Sequence, residues 1–275
     1  MPESSHILSN DDALEQFEAH GALPLPATEQ QRYIEHDGAR IWYASYGTGA
    51  SVVLLHGGLG HSGNWGYQIP ALVANGYRAI VVDSRGHGRS TRDSRPLSYQ
   101  LMASDVLAVM DELTIERTAM VGWSDGAVIA LTAAMQAPKR VERVFFFACN
   151  VDTSGTKPLM TLPPIVERCF HRHIQDYAAL SATPDDFKAF HEGVTLMMST
   201  QPNYTADQLA AITVPVTIAQ GEHDEFITPE HAAYLSKTIP GAELVILEDV
   251  SHFAPLQRPS LFNEALLLFL KRTYD

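Results

Sequence analysis

The chain is 275 residues long, 45% hydrophobic, with a formal net charge of −13. That length and apolar content suit one large α/β domain carrying an inserted piece. The acidic balance argues against a nucleic-acid partner, because binding phosphate needs clustered Lys and Arg. No run approaches the about 18 apolar residues of a membrane span.

Residues 1–30 read as a peripheral segment. Met1-Pro2-Glu3-Ser4-Ser5 has neither the basic stretch nor the apolar core of an export signal, so the expected location is cytoplasmic, with no membrane partner. Asn10 caps a short predicted helix over 11–19, and Pro24 and Pro26 break the chain after it. Asp37-Gly38 between two strand-like runs predicts a hairpin. Ser51-Val52-Val53-Leu54-Leu55 reads as a strand buried on both faces. Helices are then predicted over 65–75, 99–113 and 125–137, alternating with strands at 79–82, 118–121 and 144–148. Strands at 216–219 and 244–247 enclose a helix over 229–237, and a last helix covers 260–272. A hairpin followed by alternating strands and helices predicts a mostly parallel sheet with helices on both faces, built from 31–150 and 207–275. The interval between Cys149 and Val216 breaks the rhythm. It carries helical patterns over 164–180 and 184–199 and is too long for a simple crossover, so 151–206 reads as an inserted helical cap.

Gly122-Trp123-Ser124-Asp125-Gly126 lies where a predicted strand meets a small-residue helix. A turn this tight needs small residues two before and two after the serine, and it lifts the hydroxyl above the sheet. The helix N-terminus behind it favours developing negative charge. Hydrolysis by serine also needs a base and a carboxylate to orient it. Asp224, in Gly221-Glu222-His223-Asp224, and His252, in Val250-Ser251-His252-Phe253, each follow a predicted strand end, in the chain order Ser, acid, His. Asp152 follows the preceding strand and is the alternative acid. His56-Gly57-Gly58-Leu59-Gly60 supplies an oxyanion hole, with the Gly58 N–H as first donor, Leu59 as its alternative, and the Asp125 N–H as second donor.

These residues, with Asp83-Ser84-Arg85-Gly86-His87-Gly88-Arg89-Ser90, resemble the α/β-hydrolase fold from about residue 33 to 271. The resemblance implies that fold, a structural role for the Asp83–Ser90 turn and no cofactor. The elbow is also similar to that of valacyclovir hydrolase-like enzymes, which cleave α-amino acid esters. That implies an Asp125 carboxylate facing a substrate ammonium; the residue type alone equally fits a carboxylate serving its own helix or a neighbouring turn. Asp125, Trp123 and Leu59 are the expected substrate contacts. Trp65 and Trp123 flank the expected pocket, as acyl contacts or as core.

The remaining candidates have blander readings. Two cysteines, Cys149 and Cys169, make no disulfide framework or metal spacing, and Cys149 reads as a small buried hydrophobe. His171 and His173 point to different helix faces, and no H-E-x-x-H or other metal site is expected. Phe145, Phe146 and Phe147 are core strand, Met197 and Met198 core or pocket lining, and Glu222 and Asp249 solvated loop charges. The expectation is a serine hydrolase acting on a small-molecule carboxylic ester through an acyl-enzyme. The alternatives are a carbon–carbon bond hydrolase of ring-cleavage dienones, or a non-catalytic receptor of the same fold.

Overall fold

The computed structural model describes residues 13–28, 30–158 and 161–273; Asn10 lies outside them. Helix α1 (Leu14–His20) buries Leu14 and Phe17. The predicted hairpin follows as β1 (Gln31–His36) and β2 (Ala39–Tyr46). Asp37 and Gly38 take φ 42° and 83°, the left-handed pair that a two-residue hairpin loop requires. Next come β3 (Ala50–Leu55), α2 (Gln68–Ala74), β4 (Tyr77–Val82), α3 (Tyr99–Glu112), β5 (Thr118–Trp123), α4 (Asp125–Gln136) and β6 (Val141–Phe147). Between β6 and the next strand lie α5 (Pro164–Leu180), α6 (Phe187–Thr200) and α7 (Ala206–Ala210). The chain closes with β7 (Val216–Gly221), α8 (Pro229–Thr238), β8 (Glu243–Leu247), α9 (Ala254–Gln257) and α10 (Pro259–Lys271).

The eight strands form one sheet in the order β1-β2-β4-β3-β5-β6-β7-β8. β1–β2 and β2–β4 pair antiparallel, and every other pairing is parallel. Alternation along each strand splits the core in two. Val53 and Leu55 face α3, α4 and α8 with Val106, Leu131 and Leu235, whereas Val52 and Leu54 face α2 and α10 with Leu72 and Phe262. Phe146 joins the first cluster and Phe145 and Phe147 the second, so the triplet is core strand on both faces.

Two loops at the parallel strands' C-terminal ends are locked together. Ser84 N–H donates to His56 Nε2 at 3.0 Å, and Ser62 N–H donates to the fully buried Asp83 carboxylate at 2.7 Å. Gly88 has φ 51°, and a Cβ there would stand 2.5 Å from Asp83 Oδ2, so the turn after β4 needs glycine. The helices between β6 and β7 dock on these loops. Phe190 of α6 meets the His87 ring edge-on at 4.7 Å, and Asp176 of α5 lies 3.4 Å from His61 Nε2. The predicted helix over 65–75 is α2, which begins at Gln68, and a 3-10 turn, Ser62–Trp65, precedes it. His61 and Asn64 cap that turn reciprocally, which sets it apart from the helix after it.

Candidate active site

Ser124 stands between β5 and α4 at φ 55° and ψ −125°. A Cβ at Gly122 would lie 2.2 Å from Gly126 O, and one at Gly126 would lie 2.0 Å from Leu55 O. Only glycines allow this approach of backbones, and it projects Ser124 from the sheet edge. Ser124 N–H donates to Phe147 O at 2.9 Å, tying the turn to the neighbouring strand.

Asp224 follows β7 and is 1% exposed. One carboxylate oxygen accepts the N–H groups of Phe226 and Ile227 at 2.8 and 2.9 Å; the other lies 3.0 Å from His252 Nδ1. Burial pushes this carboxyl up, but His252 and the two backbone donors outweigh it and hold it below the usual range. His252 N–H donates to Glu225 Oε2 at 2.9 Å, and the Phe226 ring packs edge-on against the imidazole at 4.7 Å. Asp152 takes no part in this arrangement: its carboxylate accepts Ser154 N–H at 2.8 Å.

Ser124 and His252 line one cavity of about 590 Å3, together with Gly58, Leu59, Trp123 and Asp125. Among the described residues no hydrogen bond joins Ser124 Oγ to His252. The loop carrying Gly57 and Gly58 lies against the elbow; a Cβ on Gly57 would stand 3.2 Å from Ser124 Cβ. Asp125 is the first residue of α4, so its N–H has no intrahelical acceptor and is available as a donor.

The Asp125 side chain does not cap its own helix. Its Oδ1 accepts from Tyr99 Oη at 2.7 Å, across from α3. Its Oδ2 has no partner among the described residues and lies beneath Gly58, where a Cβ would stand 2.7 Å away. Burial raises the carboxyl to about 6, against the lowering effects of Tyr99 and His252.

Several side chains differ from the sequence reading or extend it. Trp65 does not line the cavity; it is fully buried and packs against Trp123 and Phe262 at 6.4 and 6.1 Å between ring centres. Cys149 and Cys169 are free and buried, yet both line the cavity, and burial pushes the Cys169 thiol up to about 12. His173 is buried at the cavity wall and His171 is exposed. Met197 belongs to the core, whereas Met198 lines the cavity. Glu222 and Asp249 are exposed and draw together with His223, ligand atoms within 4.8 Å of one another. Tyr99, Glu225 and Lys157 carried no signal in the sequence, because each meets its partner from a different element.

The alpha/beta hydrolase family model matches residues 52–265. The chain belongs to this family. It is 30% identical to a 2-hydroxy-6-oxononadienedioate/2-hydroxy-6-oxononatrienedioate hydrolase from Cupriavidus pinatubonensis, covering 84% of this chain and 90% of the relative. It is 26% identical to a rhodomycin D methylesterase from a Streptomyces species, covering 82% and 93%. Among solved structures it is similar to Est816, described as an N-acyl homoserine lactone degrading enzyme, at 30% identity and a TM-score of 0.66, covering 86% of this chain and 100% of the other. No helix of the described residues is long and apolar enough to cross a membrane.

Proposed function

We propose that this hydrolase cleaves small carboxylic esters, or the related thioesters and lactones, through an acyl-enzyme on Ser124. The observation that carries the reading is the 3.0 Å contact between His252 Nδ1 and Asp224, facing a cavity into which the strained elbow presents Ser124. In this reading His252 takes the Ser124 proton as the oxygen attacks the acyl carbon, and Asp224 orients the ring and stabilises its cation. The N–H groups of Gly58 and Asp125 receive the oxyanion. His252 then returns the proton to the leaving group and activates water for deacylation. Hydrogen bonds of this kind are often long without substrate and tighten around it, so the missing Ser124–His252 bond is compatible with the scheme. Residues 151–206 serve as the cap that closes the cavity, and Trp123 and Leu59 contact the acyl group.

A narrower reading rests on Asp125. Its unpartnered Oδ2 beside the cavity supports a preference for esters bearing a free α-amino group. A carbon–carbon bond hydrolase is the other reading, supported by the relative named for a dienedioate substrate. One panel tests all three: p-nitrophenyl esters, matched α-amino and des-amino esters, and a dienone, with wild type and Ser124→Ala. The expected result is ester turnover lost by about 10⁶ in kcat in the variant, no dienone cleavage, and faster reaction of the α-amino esters. Ester turnover at a tenth of the wild-type rate in Ser124→Ala would remove Ser124 as nucleophile. A wild type that cleaves nothing and resists fluorophosphonate labelling would be a receptor.

A further inference from the structure

Among the described residues lining the cavity, Lys157 is the sole Lys or Arg. It stands just beyond the 3-10 turn Thr153–Gly155 on the segment leaving β6. Its backbone N–H donates to Phe226 O at 2.7 Å, and its Nζ donates to Asp224 O at 2.5 Å. An ammonium group has three N–H donors, and a single carbonyl satisfies one of them. Among the described residues no carboxylate forms an ion pair with it.

The neighbouring acids are committed elsewhere. The Asp224 carboxylate is taken by His252 and two backbone N–H groups, and Glu225 Oε2 accepts His252 N–H. Beside Lys157 the cavity is lined by the apolar Phe226 and Ile227, with Thr156 next to them. A half-buried cation with spare donors at an apolar wall gains most from an anionic partner, because such a bond is charge-assisted and poorly screened.

We propose that Lys157 anchors a carboxylate on the leaving-group half of the substrate: an ester, thioester or lactone whose alcohol side carries an acid. The side follows from the elements. Lys157 is bonded to the Asp224–Phe226 loop that also holds His252, and His252 is the group that returns a proton to the leaving oxygen. That orientation rests on the Ser124–His252 reading, whereas anion binding at Lys157 does not.

The test compares an anion with its neutral isostere, in binding and in turnover. Calorimetry measures 4-hydroxybenzoate against methyl 4-hydroxybenzoate, and hydrolysis of the acetyl group compares 4-acetoxybenzoate with methyl 4-acetoxybenzoate. Wild type is expected to favour the anion about tenfold in each assay, the value of one charge-assisted bond. The ratio should fall to near one in Lys157→Met and persist in Lys157→Arg. Because the readout is a ratio within each variant, a general loss of activity cancels. Equal binding of the two ligands by wild type overturns the proposal, as does a preference that survives in Lys157→Met. If wild type binds the anion selectively but cleaves neither acetate, the anion site stands and the ester-hydrolase reading fails.

Discussion

Asp224 and Asp152 show how the same side chain takes different work from its surroundings. Each follows a parallel strand at the edge where Ser124 is presented. Asp224 is buried, its oxygens filled by two backbone N–H groups and the His252 ring. Asp152 caps a 3-10 turn through Ser154. Converting Asp224 to Asn keeps the shape but replaces one acceptor oxygen with an NH2 group. The amide that results favours the wrong tautomer of His252 and no longer stabilises its cation. Asp224→Asn is therefore expected to lower kcat by about 10²–10⁴, and Asp152→Asn to stay within about twofold of wild type. Steady-state kinetics on one p-nitrophenyl ester decide between them, and the reverse ranking would move the acid to Asp152.

At the scale of elements, the elbow depends on three backbones meeting: β5 enters, α4 leaves, and the end of β3 lies beneath. Gly126 marks the meeting point, since a Cβ there would lie 2.0 Å from Leu55 O and 2.7 Å from His56 O. These are backbone atoms at the end of a central strand and just past it, so no side chain can swing away. Gly126→Ala must push α4 off β3 or distort the turn, and a destabilisation of about 1–3 kcal/mol or more is expected. Thermal or urea unfolding measures it, and a variant as stable as wild type would mean that the turn has slack the geometry does not show. This junction was legible in sequence because its requirements are local: small residues at fixed offsets, an apolar strand before, a helix after. The order Ser124, Asp224, His252 was legible for a related reason, since each follows a strand end. Tyr99 on Asp125 was not, because the pair joins α3 to α4 and neither residue carries a local signal for the other. Lys157 and Glu225 escaped notice for the same reason. Of the two readings open to Trp65, acyl contact or core, the structure takes the core one, with its ring packed against Trp123 and Phe262.

Across the whole molecule, the helices between β6 and β7 rest on a patch of buried histidines. His56 and His87 lie 5.2 Å apart between ring centres, Phe190 covers His87, and His173 comes down from α5. Burial holds all three imidazoles neutral, pushing His56 and His173 down to about 4 and His87 to about 3, from an ordinary 6.5. The folded values lie below the unfolded one. Between about pH 6.5 and 4 the unfolded chain therefore binds protons that the folded chain does not, so this stability is complete above pH 6.5 and drains away as pH falls. Each such histidine contributes a slope of up to about 1.4 kcal/mol per pH unit. Asp125 works against the trend. Its folded value, near 6, lies above the carboxylate reference of 3.8, so it takes up a proton in the folded state first and returns some stability over the same window. With His231 also depressed by burial and Glu225 also raised by it, four lowered histidines stand against two raised acids, and the expected net loss between pH 7 and pH 5 is about 3–5 kcal/mol. Urea titrations at half-unit steps measure it. In His87→Gln the slope should shrink by about one proton, since that variant removes one titrating ring from the patch. Hydrogen exchange at pH 5 should open α5 and α6 before the central sheet, because those helices share the patch with the loops after β3 and β4. A flat stability profile from pH 7 to pH 5 would show that these rings are solvated, and with that the account of how the helical segment is held over the cavity would fall.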